Sequence, residues 1–392
     1  MKDLLKVANQ LSNLGASDLS SGVSHDSTYS KVNRLILVGN GFDLAHGIRS
    51  SFKDFISDYS LKVLLKFRKE RPGYYQDDLL EFEHQGGTGN GIHQFLKNLS
   101  FSNSANLLSR VLDHAHVNVI RKATLLQSIL KDLSDKNWVD IEVAYYDLLS
   151  KWLGKDNQSQ VVRLNKELES LRTLLIQYLQ NDVDQFEFKK SLKIHKQFTD
   201  LININHVMPG TIDRSMPAES ICLLNFNYTD IPLRYIQSFG KTSWKYIPIH
   251  GQLDGNDIDI QEPVFGFGDE LDESYTSFEH ENNDELFRHI KSFKYLQFKH
   301  YRDLLEYLGS CPFQVYIFGH SCGVSDRTML NTIFEHKNCI SIRSFYHKWS
   351  GGDDFESKSY AISKQFQDKA LLRAKVVNKE YCEPMAQPLK EK

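Results

Sequence analysis

The chain has 392 residues, of which 41% are hydrophobic and 25% charged, a balance typical of globular proteins. Its formal net charge of −3 gives no electrostatic reason to expect nucleic acid or an anionic membrane as a partner. No apolar run spans a bilayer, the amphipathic N-terminus has no secretory signal, and the five scattered cysteines form no CxxC pair, so we expect a cytoplasmic protein without disulfides or metal.

The first half of the chain changes from β to helical character. Residues 1–30 are predicted to form an N-terminal arm that ends in a small, polar linker. A buried strand is predicted over 34–38 and a helix over 51–70, within a first part of the core at 31–90. From 91 to 202 apolar residues recur at helical spacing, which predicts a large α-helical insertion.

The β character returns in a second part of the core, at 203–347. Strands are predicted there at 221–226, 245–249, 263–267, 314–318 and 340–346. Helical stretches lie between several of them, and this alternation indicates a mostly parallel sheet covered on both faces. The predicted fold class is therefore α/β, a Rossmann-like mostly parallel sheet with a large α-helical insertion, followed by a C-terminal helix and tail at 348–392.

A glycine-rich turn directly follows the first strand in "LILVGNGFDLAHGI". The P-loop pattern fails because "HGI" at 46–48 stands where Gly-Lys-Thr is required, and the dehydrogenase fingerprint fails because Leu44 replaces its third glycine. Gly39 and Gly41 still allow a pyrophosphate to approach backbone N–H groups. The motif alone leaves two interpretations open, a nucleotide site and a plain strand-to-helix turn.

A second glycine motif, "IFGHSCG" at 317–323, follows another predicted strand. It matches the GxSxG nucleophile elbow of serine hydrolases, with Ser321 as the candidate nucleophile. Only Glu335 and His347 then follow in the order that a catalytic triad needs. The same turn can equally provide backbone contacts for a nucleotide, so a serine hydrolase is the less favoured hypothesis.

Polar residues follow two further predicted strands. "NFNYTD" places Asn227 and Tyr228 after one, and "IHG" places His250 after another. Because the carboxyl ends of parallel strands meet at one edge of a sheet, we expect these residues to converge with the two glycine turns. In the insertion, Asp140 and Glu142 of "WVDIE" either cap a helix or belong to a lid that reaches the substrate.

Taken in order, several motifs together resemble the AbiH-like family of bacterial abortive-infection proteins. They are "LILVGNGFDLAHGIRSSFKDF", "WVDIE", "NFNYTD", "IHG" and "FGHSCGVSD", and the resemblance covers residues 34–347. It implies an effector of antiphage defence.

A wider resemblance connects the chain with sirtuins and sirtuin-like NAD-consuming enzymes. "GNGFDLAHGI" is similar to their GAGIS…GIP motif, "NFNYTD" to their NYD element, "IHG" to their strand-end HG, "VFGFGDE" to their VxFGE element and "GHSCGVSD" to their GTSLxVxP loop. This resemblance implies a sirtuin-like sheet and NAD as the ligand. The two CxxC pairs of the sirtuin zinc element are absent, so protein deacylation is not expected.

The sirtuin resemblance also implies a role for each matched residue. The catalytic residues would be Asn227, which holds the ribose or a water, and His250, which acts as general base. The residues expected to bind NAD are Gly39, Asn40, Gly41, Asp43, His46, Tyr228, Gly319, His320 and Ser321. Asp43 would either point to a ribose or cap the next helix, and His46 would either act on the substrate or merely pack.

The expected reaction is hydrolysis of NAD+ to nicotinamide and ADP-ribose, which would deplete the NAD of the host. It needs orientation, a dry pocket and a base for water, and no metal. Such an enzyme needs an off-state, which a phage-derived trigger, a homo-oligomer or the arm at 1–30 would supply. A second hypothesis is a defence sensor that binds NAD or ADP-ribose without turnover.

Overall fold

The structure is a computed structural model that describes most of the chain. The described residues are 28–69, 73–85, 104–136, 140–154, 157–184, 186–236, 243–253 and 262–390. The predicted arm at 1–30 therefore lies outside the described residues, except for its last three positions. In these ranges no helix combines the length and the apolar character that crossing a membrane requires.

The strands and helices alternate along the core and are interrupted by a long insertion. The strands are β1 (Asn33–Val38), β2 (Tyr74–Gln76), β3 (Leu80–His84), β4 (Val117–Lys122), β5 (Ser220–Asn225), β6 (Ser243–Pro248), β7 (Phe313–Phe318), β8 (Cys339–Phe345), β9 (Lys348–Trp349) and β10 (Gly352–Asp353). The helices are α1 (Asn40–His46), α2 (Phe52–Lys69), α3 (Ser104–Leu112), α4 (Thr124–Lys136), α5 (Ile141–Lys151), α6 (Gln158–Asp184), α7 (Leu192–Thr199), α8 (Leu233–Ile236), α9 (Glu273–Glu279), α10 (Lys291–Tyr295), α11 (His300–Ser310), α12 (Arg327–Phe334), α13 (Phe355–Lys364) and α14 (Lys369–Lys375).

The core is a five-stranded sheet in the order β6–β5–β1–β7–β8, and every neighbouring pair runs parallel. All residues of β1, β7 and β8 are buried, which explains the apolar runs of β1 and β7, whereas β8 also buries Ser341, Arg343 and Ser344. Leu35 and Leu37 pack on one face of β1, whereas Ile36 and Val38 pack on the other. Both faces are therefore covered, and the predicted α/β fold with a parallel sheet is confirmed; its likeness to sirtuins stays a prediction.

The side of the sheet to which successive strands are added changes at its centre. After β1 and the insertion, the chain adds β5 and β6 on one side and then crosses to add β7 and β8 on the other. The two halves part between β1 and β7. In open parallel sheets such a switch point leaves a crevice beyond the carboxyl ends of the strands, where ligands bind.

Two predicted elements differ from the structure. Residues 263–267 form no strand, because the segment leaves the sheet and packs on the insertion, where Phe267 stacks on Tyr146 with ring centroids 3.8 Å apart. The predicted helical pattern after α3 is wrong at β4, whose β-branched residues pair antiparallel with β3. The insertion at 91–202 is thus not purely helical, because its β4 completes a small sheet of order β2–β3–β4 whose other two strands precede it.

Candidate functional site

A cavity of about 310 Å³ opens at the carboxyl edge of the sheet, beside the switch point. Ten of the eleven predicted site residues line it: Gly39, Asn40, Gly41, Asp43, Asn227, Tyr228, His250, Gly319, His320 and Ser321. The insertion contributes Asp140 and Glu142, and the turn after β7 contributes Ser325 and Asp326. The parallel strands thus bring together motifs from four separate parts of the chain.

The two glycine turns pack directly against each other at the floor of this cavity. The Gly41 N–H donates to the Gly319 carbonyl over 2.9 Å, and the Gly39 N–H donates to the Phe318 carbonyl over 3.0 Å. A Cβ atom on Gly319 would lie 2.2 Å from the Phe42 nitrogen. The close approach of the turns is thus a sufficient reason for these glycines, and the N–H groups of Gly39 and Gly41 are already used inside the protein.

Asp43 is a buried carboxylate at the side of the cavity. Its Oδ1 accepts a hydrogen bond of 2.9 Å from the Asn227 amide, and its Oδ2 accepts one of 2.8 Å from the Thr229 hydroxyl. Helix α1 begins after Gly39, so the interpretation of Asp43 as a helix cap is wrong. Burial raises the pKa of Asp43 to about 7, although the two hydrogen bonds oppose this shift.

Asn227 is held by the loop that follows β5. Its side-chain amide donates to the Gly39 carbonyl over 3.1 Å as well as to Asp43, and its backbone N–H donates to Asn225 Oδ1 over 3.1 Å. Both amide hydrogens are therefore used. Among the described residues no donor is bonded to its Oδ1, which leaves this oxygen as an acceptor for a ligand hydroxyl or a water.

His250 lies at the end of β6 with both ring nitrogens close to protein groups. Nδ1 is 3.1 Å from the Phe226 carbonyl, which can only accept, so we assign the proton of the neutral ring to Nδ1. Nε2 lies 3.1 Å from the Tyr295 hydroxyl and 3.2 Å from Asp326 Oδ1. Burial and the charge of Lys291 lower the pKa of His250, so the neutral form prevails at neutral pH.

A buried group of charges lies beside His250. Lys291 Nζ is 2.9 Å from Glu142 Oε2 and 2.8 Å from Asp326 Oδ1, and only 1% of Lys291 is exposed. Burial works to lower the pKa of Lys291, but the two carboxylates raise it above its ordinary value. Likewise, burial works to raise the pKa of Asp326, but Lys291 and His250 hold it well below its usual range.

Within the motif "WVDIE" the helix cap is confirmed, whereas a lid that reaches the substrate stays a prediction. Asp140 caps α5 by accepting hydrogen bonds from the N–H groups of Glu142 and Val143, at 3.0 and 3.2 Å. The Glu142 side chain lines the cavity, where its Oε1 accepts from the Gly266 N–H over 3.1 Å. Burial raises the pKa of Glu142 to about 7.

His46 is the predicted site residue that does not line the cavity. Its Nδ1 lies 2.8 Å from the Phe42 carbonyl and its Nε2 lies 2.7 Å from the Tyr235 hydroxyl. It also packs near Phe188, with ring centroids 6.1 Å apart. His46, the last residue of α1, therefore directs its side chain into the hydrophobic core and not into the cavity.

Ser321 is exposed at the edge of the cavity. In the described part of the chain no hydrogen bond joins its hydroxyl to a histidine or a carboxylate. Glu335 Oε1 accepts instead from the backbone of Gln367 and Asp368, at 2.7 and 2.8 Å. The arrangement needed for a serine hydrolase, a base bonded to the nucleophile, is thus not formed here.

A second cavity of about 590 Å³ lies next to the first. The two cavities share three lining residues, Gly41, Gly319 and Ser321, which belong to the two glycine turns. His347 and Lys358 contribute polar groups to the second cavity. The residues that line the two cavities range from the end of β6 to the end of β8.

Sequence reasoning missed part of this site. Asp326 stands in the quoted motif "GHSCGVSD" but was given no role, and Lys291 lies in "HIKSF", where nothing distinguishes it from a surface lysine. The sequence did hold a hint for Asp326, because this residue closely follows the glycine turn at the end of a predicted strand. No local signal for Lys291 exists, because its burial depends on the packing of α10 against α5 and the turn after β7.

A comparison with known protein families gives a match for the chain. No curated protein matches the chain. The model of the family described as "Bacteriophage abortive infection AbiH" matches residues 35–348, a stretch that holds every strand of the central sheet except the start of β1 and every residue that lines the first cavity. The chain therefore belongs to the AbiH family of bacteriophage abortive infection proteins.

Proposed function

We propose that the protein is an antiphage abortive-infection effector that hydrolyses NAD+ to nicotinamide and ADP-ribose. Its family supports the role in abortive infection. One observation carries the proposed activity: Asn227 with a free acceptor oxygen and His250 with a neutral ring line one cavity at the switch point of a parallel sheet. This is where such sheets bind nucleotides.

The proposed chemistry cleaves the bond between the ribose C1′ and the nicotinamide nitrogen. The electron pair of this bond passes to the ring nitrogen, which neutralises the pyridinium and makes nicotinamide a good leaving group. Water adds to C1′, and His250 Nε2, once the Tyr295 hydroxyl has released it, takes the proton of the water and later passes it to solvent. Asn227 Oδ1 would hold a ribose hydroxyl or the attacking water in line.

The two neighbouring cavities support a dinucleotide as the substrate. The first, of about 310 Å³, lies beside Asn227 and His250, and the second, of about 590 Å³, lies beyond the glycine turns. The nicotinamide riboside half would occupy the first and the adenosine half the second. The pyrophosphate would then cross Gly41, Gly319 and Ser321, the residues that both cavities share.

Asp43 is compatible with this arrangement because of its burial. A permanently ionised carboxylate would repel a pyrophosphate. With a pKa of about 7, the Asp43 carboxyl is protonated in a large fraction of molecules at neutral pH. Asp43 also accepts hydrogen bonds from Asn227 and Thr229, and these bonds hold the loop after β5 in place.

The experiment follows NAD+ and its products with the purified full chain. We expect wild type to form nicotinamide and ADP-ribose in equal amounts, and Asn227→Ala and His250→Ala to form neither. Asn282→Ala and His280→Ala are the matched controls, since both residues are exposed and lie outside the cavities. Unchanged NAD+ with a protein that still protects cells from phage would overturn the proposal.

A second candidate is a sensor that binds NAD+ or ADP-ribose without turnover. It is favoured by the hydrogen bonds of His250, since Tyr295 occupies Nε2 in the free protein. A sensor would show a rise in melting temperature with NAD+ and return the nucleotide intact. Either function would need a trigger, for which a phage protein or self-association remains our proposal.

A further inference from the structure

Asp326, which lines the first cavity, lies close to three basic side chains. Its Oδ1 lies 2.8 Å from Lys291 Nζ and 3.2 Å from His250 Nε2, and its Oδ2 lies 3.6 Å from His320 Nε2. Asp326 precedes α12 at its N-cap position but makes no side-chain hydrogen bond to that helix. Helix capping therefore does not explain this buried carboxylate.

The proton on His250 decides how it interacts with Asp326. Because Nδ1 donates to the Phe226 carbonyl, Nε2 of the neutral ring carries a lone pair. This lone pair faces an ionised carboxylate at 3.2 Å and accepts from the Tyr295 hydroxyl at 3.1 Å. The contact with Asp326 becomes a hydrogen bond between opposite charges only when Nε2 has gained a proton.

The charge balance of this group depends on Glu142. When Glu142 and Asp326 are both ionised, they carry two negative charges, and Lys291 supplies a single positive one between them. His320 Nδ1 accepts the Cys322 N–H over 3.0 Å, which assigns a ring proton to Nε2, the nitrogen that lies 3.6 Å from Asp326 Oδ2. In molecules with Glu142 ionised, a proton on His250 would balance the second negative charge.

We propose that Asp326 is a positioning residue for His250, which it pairs with once His250 has taken the proton of the attacking water. Lys291, held in turn by Glu142 from the insertion, fixes the Asp326 carboxylate in place. The contact thus stabilises the state formed during the reaction more than the state before it, which is the condition for faster chemistry. The nature of the reaction rests on the proposed function, whereas the pairing of the two side chains does not.

The groups that face this pair come from several elements. Lys291 and Tyr295 belong to α10, Glu142 belongs to α5, and His320 follows β7. All of them stay in place in Asp326→Asn, and Lys291 keeps Glu142 as a single partner of opposite charge. We therefore expect this variant to fold, with His250 deprived of its counter-ion.

The first measurement compares kinetics of wild type and Asp326→Asn, with Asp213→Asn, an exposed loop residue, as the matched control. We expect kcat for NAD+ hydrolysis to fall by about 100-fold or more, the scale of lost general-base catalysis, with KM changed only a few-fold. The control should keep the kcat of wild type. An unchanged kcat in Asp326→Asn would overturn the proposal.

The second measurement does not depend on activity. Nuclear magnetic resonance of ¹⁵N-histidine-labelled full-length protein, assigned with His250→Asn, follows the His250 ring nitrogens through a pH titration. Loss of the Asp326 charge should lower the pH at which His250 gains its second proton. An unchanged or higher midpoint in Asp326→Asn would overturn the pairing, whereas a wild-type protein that leaves NAD+ intact would overturn only the proposed function.

Discussion

The side-chain amide of Asn227 donates a hydrogen bond of 2.9 Å to Asp43 Oδ1 and so joins the loop after β5 to α1. The second amide hydrogen goes to the Gly39 carbonyl, 3.1 Å away. A residue that the sequence proposes as catalytic therefore also connects two loops of the cavity floor. The effect of substituting Asn227 on activity therefore has to be compared with that of a second variant, which weakens the same loop contacts but leaves the Asn227 amide intact.

Thr229→Val is that companion variant for Asn227→Ala. Each removes one donor to the buried Asp43 carboxyl, so each should lower the free energy of unfolding by about 1–3 kcal/mol in urea titrations. Only Asn227→Ala removes the free acceptor oxygen, so only this variant should lose NAD+ hydrolysis. Equal loss of activity in both variants would assign Asn227 a purely structural role.

The stability of the protein should depend on pH through Asp43. Its pKa is about 7 in the folded chain and 3.8 ordinarily, so the folded state binds more protons between these values. The free energy of unfolding contributed by this group therefore falls as pH rises from about 4 to about 7. Asp43→Asn should show a weaker fall in urea titrations across this range, and an identical slope would contradict the assignment.

Replacing glycine with alanine should have opposite effects on stability at Gly319, in the contact between the glycine turns, and at Gly309, in an open helix position. Gly319 has φ +67° and no space for a Cβ, so Gly319→Ala should lower the free energy of unfolding by about 2–5 kcal/mol. Gly309 lies in α11, and a Cβ there meets no atom within 4 Å. Gly309→Ala should raise stability by about 0.5–1 kcal/mol, and thermal melts of both variants test the pair of predictions.

Removing the positive charge from the buried cluster should be costly. Lys291→Met leaves Glu142 and Asp326 without their shared counter-ion, which should lower the free energy of unfolding by about 3–5 kcal/mol. Lys294→Met in the same helix is the control, since Lys294 is only half-buried and should change stability little. Similar chemical denaturation curves for the two variants would show that the cluster is not stabilised by Lys291.

The serine-hydrolase hypothesis predicts covalent labelling at Ser321. Because no described histidine or carboxylate is bonded to its hydroxyl, we expect a fluorophosphonate probe to leave the protein unlabelled at neutral pH. A known serine hydrolase in the same reaction serves as the positive control. Labelling of wild type that disappears in Ser321→Ala would restore this hypothesis.

The fold was largely predictable because its central strands are buried on both faces. β1 and β7 each contain an apolar run of at least four residues, and a glycine turn marks the carboxyl end of both strands. The parallel arrangement then brought those motifs to one edge. Residues 263–267 misled the prediction because an apolar segment that packs on the insertion has the same composition as a buried strand.

The site was less predictable than the fold, since its electrostatics depend on distant contacts. The glycine turn was correctly located, but its close contact with Gly319 lies 278 positions away in sequence, counted from Gly41, and no local pattern reports it. In the sequence nothing distinguishes Lys291 from a surface lysine, and only the tertiary structure places it between Glu142 and Asp326. Burial of single charges follows from tertiary packing, which periodicity does not encode.

The position of β1 in the sheet has a consequence for how the protein is made. β1 is translated well before its neighbours β5 and β7, because the insertion lies between them in the sequence. The turn from Gly319 to Asp326, which completes the cavity, is translated later than the other motifs that line it. A nascent chain thus has no assembled site until Asp326 has emerged from the ribosome, and the proposed NAD hydrolase would be inactive up to that point.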